Sequence, residues 1–177
     1  MSELKEFISN LPKSVVLDTM DAFKSCKNEW FLQVDPETME TVMNGVMQFN
    51  INTKTMFREI VCFYIKSKSK KVNDLVIALN KAFEASLGFS ELEDGGTCNF
   101  DQPVIRLEGW TKKEIFEASI FSGGKLHGKI SGKYWKGYRY LCLSLQGQGN
   151  RRTKMAESAC ASLKCDGYDA AMYYQMD

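Results

Sequence analysis

The chain has one histidine, His127, only three prolines, and no Asp or Glu anywhere between Ala118 and Ala156. Each shortage excludes something. One histidine and six scattered cysteines (Cys26, Cys62, Cys98, Cys142, Cys160, Cys165) contain no Cys-x-x-Cys pair, so a zinc site would have to gather four ligands from distant segments. No apolar run approaches the length of a membrane span, and Met1 leads into Glu3, Lys5 and Glu6 rather than a signal peptide. A cytoplasmic protein with free thiols, off the membrane, is therefore expected. Enzymatic motifs are missing too: there is no P-loop, no Gly-x-Ser-x-Gly, no His-Glu-x-x-His and no group of acids at metal spacing. A Cys–His nucleophile would need His127 and a distant cysteine, and no pattern singles out carboxylates such as Glu108, Glu114 and Glu117. Neither catalytic residues nor a metal nor a cofactor is expected.

The missing acids leave a concentrated positive charge. Residues 118–156 carry Lys125, Lys129, Lys133, Lys136, Arg139, Arg151, Arg152 and Lys154, so this stretch holds +8 and the remainder −7 in a chain of net charge +1. Tyr134, Trp135, Tyr138 and Tyr140 lie among the cations. Cations beside aromatics suit a polyanion that also offers flat bases, which is nucleic acid before anything else. A solvated sheet face, or a face for an acidic protein, would use the same composition.

Hydrophobic spacing divides the chain into two styles. Up to about residue 90 it is helical. Val15, Val16, Met20 and Phe23 form one stripe running to Cys26. Asp35-Pro36-Glu37 starts a second helix, with Met39, Val42, Met43, Val46 and Met47 as its stripe and residues 50–52 as its end. Thr53 or Thr55 caps a third. Lys66, Lys68, Lys70 and Lys71 then form either a polar connection or a second phosphate-facing patch, and Val72 to Leu87 is the strongest amphipathic segment, ended by Gly88. The acidic loop 91–96 marks the expected boundary. Beyond it the period falls to two: strands are expected over 103–110, 115–121, 126–135 and 138–146, with a helix over 151–164 and a short aromatic tail at 170–176, packed or forming a final helical turn. The expected fold is α+β, with a helical region (1–90) before a small antiparallel sheet of three or four strands and a C-terminal helix (97–177). Both halves can also pack as one domain.

Ala78-Leu79-Asn80-Lys81-Ala82-Phe83-Glu84 precedes Gly88, and Gly147-Gln148-Gly149-Asn150-Arg151-Arg152-Thr153-Lys154 opens a stripe of Ala156, Ala159, Ala161 and Leu163. Over residues 72–164 this resembles the double-stranded-RNA-binding domain, whose order is helix, strand, strand, strand, helix. The family's Gly-Pro-x-His loop is absent, and Gly124-Lys125-Leu126-His127 stands nearest to it. The resemblance implies that Arg151, Arg152 and Lys154 span phosphates across a narrow A-form groove, helped by the helix dipole. A second register, with 115–121 as the middle strand and 138–145 as a helix, conflicts with the period-two Leu141, Leu143 and Leu145.

The expected function is a non-catalytic RNA-binding protein that prefers duplex or structured RNA through backbone contacts. Arg151, Arg152 and Lys154 would hold phosphates; Lys129, Lys133, Lys136 and Arg139 would extend the track; Trp135, Tyr138 or Tyr140 would stack on bases or riboses, or else pack at a sheet edge or dimer contact. Replacing Arg151, Arg152 and Lys154 by Ala is expected to weaken binding with little loss of stability. Small size without catalysis fits a viral silencing suppressor or similar counter-defence factor. The alternatives are an assembly or inhibitor protein whose basic face meets an acidic partner, and an RNA-processing enzyme. The Met- and Phe-rich first half offers a homo-oligomer interface under any of them.

Overall fold

The computed structural model describes residues 3–25, 29–64, 69–96, 99–130, 133–143, 145, 147 and 149–174. They form an α+β protein of two compact units, Met1–Lys68 and Ser69–Asp177. The division therefore falls before helix α5 (Lys70–Leu87) and not at the acidic loop 91–96. The reason is the strength of the stripe already noted: Val72, Leu75, Ala78, Leu79 and Ala82 are buried in one cluster with Ala159, Cys160 and Leu163 of helix α7 (Asn150–Cys165).

The first unit holds α1 (Glu3–Ser9), α2 (Lys13–Lys24), a 3-10 turn (Trp30–Gln33), α3 (Pro36–Phe49) and α4 (Thr53–Tyr64). Asp35 caps α3 as expected, its carboxylate accepting from the Thr38 amide at 2.8 Å, and Asn50 ends the helix in a left-handed conformation. The cap of α4 is Asn52, which accepts from the Thr55 amide at 2.8 Å; neither threonine takes that role. Trp30 sits edge-on to Phe23 and Phe57 over a core that includes Val42, Met56, Ile60 and Val61. Met47, expected in the α3 stripe, is exposed. Cys26, Lys66, Lys68 and Cys98 lie outside the described residues; Cys62, Cys142, Cys160 and Cys165 are free thiols.

After α5 the second unit runs β1 (Gln102–Arg106), α6 (Lys112–Phe121), β2 (Leu126–Lys129), β3 (Tyr138–Leu141), α7 and β4 (Ala170–Tyr173). The sheet order is β2-β3-β1-β4, antiparallel throughout. From β1 onward this is the split β-α-β arrangement, βαββαβ, with α5 added. It departs from the order implied by the double-stranded-RNA-binding resemblance at two places. Residues 115–121, expected as a strand, are helical because Thr111 and Glu114 form a reciprocal capping box that starts a helix at Lys112. The aromatic tail, at 170–173, is an edge strand beside β1. The strand expected over 126–135 stops at Lys129, and Lys133–Trp135 is a 3-10 turn. Residues 138–141 are extended, in line with the leucine alternation.

The register sorts the side chains into two faces, because directly paired residues in an antiparallel sheet point the same way. Ile105, Leu126, Leu141 and Ala170 face one side, where they are buried with α5 and α7. The other face carries Gln102, Val104, Arg106, Tyr138, Tyr140, Ala171 and Tyr173.

Candidate nucleic-acid interface

The start of α7 is tied down by the chain's own loops. The Gly149 amide donates to Asp94 Oδ1 at 3.1 Å, and the Asn150 amide donates to the Gly95 carbonyl at 2.8 Å. Arg151 Nε donates to the Leu92 carbonyl at 2.6 Å; Arg152 Nε donates to the Asp101 carbonyl at 3.1 Å and its Nη1 to the Leu145 carbonyl at 3.4 Å. Thr153 Oγ1 donates to the buried Asp101 carboxylate at 2.8 Å. A helix N-terminus attracts anions through its free amides and dipole. Here the Asp94 carboxylate sits where a phosphate was expected, and two of the three expected phosphate ligands are occupied as staples. Only Lys154 projects from this turn as an exposed cation, and it pairs with Glu157 at 2.8 Å.

The expected cationic track is also split. Arg139 pairs across the ladder with Ile105 and Lys129, so Arg139 and Lys129 belong to the helix-side face, away from Tyr138 and Tyr140. Burial lowers the proton affinity of the Arg139 guanidinium, whose Nη1 donates to the His127 carbonyl at 3.4 Å. Lys129 is exposed at the edge, Lys136 is exposed just after the 3-10 turn, and Lys133 lies within that turn.

What the structure does bring together is a row of aromatic rings. Trp135 meets Tyr138 at 5.3 Å and Tyr173 at 5.2 Å between centroids, and Tyr173 meets Tyr140 at 5.5 Å, all edge-to-face. Tyr140 pairs directly with Val104 of the central strand, which is 0% exposed although it points away from the helices. All four rings remain half-buried, so part of each is open. Desolvation raises the pKa of Tyr138 and Tyr140. The Tyr138 hydroxyl donates to Asp169 at 3.0 Å, which raises it further. Arg106 completes this face: it lies 6.0 Å from the Tyr138 ring and pairs with Glu108 at 2.6 Å and Asp169 at 3.7 Å.

Beside Tyr140 opens a cavity of about 240 Å³ that His127, Gln102 and Arg152 also line. The sheet thus brings His127 and Cys142 to one hollow, but no group of three or more metal-binding side chains is present among the described residues. No helix among the described residues is long and apolar enough to cross a membrane.

The fold and this site define a split β-α-β unit with an aromatic sheet face. Compared with known proteins, the chain matches no family model, no curated protein and no solved structure. Sequence reasoning missed Tyr173, Gln102 and Arg106. Ala170 to Tyr173 is a short apolar run without alternation, and its partner β1 lies on the far side of α7 in the chain, so nothing local pairs the two.

Proposed function

We propose that this protein binds RNA without chemical conversion, stacking unpaired bases on the open face of its sheet. One observation carries this reading: Trp135, Tyr138, Tyr173 and Tyr140 form a continuous, half-open aromatic row on the face opposite the helices. A four-stranded sheet with aromatic side chains on its open face is a recurrent platform for single-stranded RNA, since every base has a π-face to stack. Trp135 and the three tyrosines would take the bases, with the exposed Lys136 supplying positive charge for phosphates.

This moves the expected contact from the duplex groove to unpaired segments of a structured RNA. The reason is physical: Asp94 places negative charge at the α7 start, and Arg151 is engaged by the Leu92 carbonyl. Small size without catalytic motifs also suits a counter-defence role of the viral-suppressor kind.

The test is fluorescence anisotropy with single-stranded RNA, duplex RNA and duplex DNA of equal length, each over a salt series. Tightest binding to single-stranded RNA, falling with salt, is the expected result. Duplex-first binding would return the site to the α7 start. Absence of binding to all three would favour an acidic protein partner.

A further inference from the structure

The aromatic row does not end at Tyr140; it runs into the cavity. The hollow of about 240 Å³ has Tyr140 on its rim, Leu143 and Leu145 as apolar wall, and Gln102, His127 and Arg152 as polar groups. We infer that this cavity receives one unpaired guanine base of a bound RNA, with Arg152 and Gln102 reading its edge. The inference deepens the RNA reading above and rests on it.

Size comes first. Sites for larger organic ligands occupy roughly 300–1,000 Å³. A hollow below that range, with apolar walls and few polar groups, suits one flat ring system. Continuity comes second, because Tyr140 belongs both to the row and to the cavity rim, so a strand stacked along the row can turn one base inward.

Chemistry chooses the base. Arg152 is a donor only, and its guanidinium is oriented by the Asp101 and Leu145 carbonyls, which engage Nε and Nη1. A guanidinium held in this way offers its remaining N–H groups to paired acceptors. Guanine presents O6 and N7 as such a pair, whereas adenine sets its N6 amino group against the cation. The Gln102 amide can donate through its NH2 group to an acceptor on that same edge. Fixing the arginine in advance also removes part of the ordering cost of binding.

The experiment uses the full chain and fluorescent adenosine oligoribonucleotides of about ten residues, identical except for one central guanosine, adenosine or 7-deazaguanosine. Guanosine is expected to raise affinity by about tenfold over adenosine, and 7-deazaguanosine, lacking the N7 acceptor, to lose most of that gain. Because Arg152 also ties the first turn of α7, Gln102→Leu is the variant of choice. It should lower the ratio of guanosine-strand to adenosine-strand affinity. Equal affinity for all three strands, each binding in a salt-dependent way, would overturn the base pocket and leave the stacking face standing. No binding to any strand would overturn both.

Discussion

Asp94 Oδ1 accepts a hydrogen bond from the Gly149 amide at 3.1 Å, and this contact governs how the start of α7 can be used. The acidic loop, which looks like a boundary in sequence, folds onto the most basic helix start in the chain. Gly147 and Gly149 make room for it. A Cβ at Gly147 would lie 2.5 Å from Asp94 Oδ2, and one at Gly149 would strike the Gly95 carbonyl. Gly147 also has a φ of +81, where an L side chain is strained. Gly147→Ala and Gly149→Ala are each expected to cost about 1–3 kcal/mol. Urea unfolding reads this directly, and an unmoved midpoint would mean that the loop does not close on the helix.

The double change Arg151→Ala with Arg152→Ala should lower thermal stability, contrary to the expectation drawn from sequence. Three hydrogen bonds to the Leu92, Asp101 and Leu145 carbonyls are lost together. Lys154→Ala should be nearly neutral, since its pair with Glu157 is exposed. Scanning calorimetry on the two variants separates staples from surface charge; equal melting temperatures would return all three residues to the surface.

Trp135→Ala should weaken binding of single-stranded RNA by about tenfold, the scale of one lost base–aromatic stack. The fold should persist, because Trp135 is half-buried in a short turn. Unchanged RNA affinity with an intact circular dichroism spectrum would reduce the row to packing.

Leu143 lies just beyond β3 yet is only 2% exposed, in the cluster shared by α5 and α7. Leu143→Ala should destabilise the protein by about 2–5 kcal/mol, measured by denaturant unfolding. A near-neutral change would place this segment outside the core.

The carboxyl of Glu114 is held below the usual 4.5, first by the Thr111 amide, then by the Thr111 hydroxyl, with the nearby Lys71 cation adding to the effect. A lowered folded-state pKa means that the unfolded chain binds the proton more tightly. The stabilisation is therefore complete above the unfolded value and disappears as pH falls through the folded one. Wild type and Glu114→Ala should differ in urea midpoint near neutral pH and converge as pH falls through the lowered folded-state value. A gap that persists in acid would remove the charge from the explanation.

Those outcomes bear on segments that differ in how openly the chain declares them. The amphipathic stripe of α5, the Asp35-Pro36 start of α3 and the alternation around Leu141 were all legible, because each is decided by residues within a few positions of one another. The helix at 112–121 was misread although Thr111-x-x-Glu114 announces it; the apolar run Ile115 to Phe121 looks like a buried strand until the cap is weighed. The site was harder. Charge and aromatic content single out residues 118–156, but the division of Arg139 from Tyr140 depends on register, and the engagement of Arg151 depends on a loop far back in the chain. Neither leaves a local trace.

The position of β4 has a consequence for how the protein is made. β1 lies between β3 and β4, yet β4 follows every other element of the sheet in the chain. While the ribosome is still adding α7, one side of β1 is an unpaired strand edge, open to any extended segment nearby. The sheet closes only after residues 170–173 emerge, and with them Tyr173, which joins Trp135 to Tyr140. A nascent chain stalled before that point lacks both a sealed sheet and a continuous aromatic row, so translation would complete the barrier to aggregation and the row in the same step.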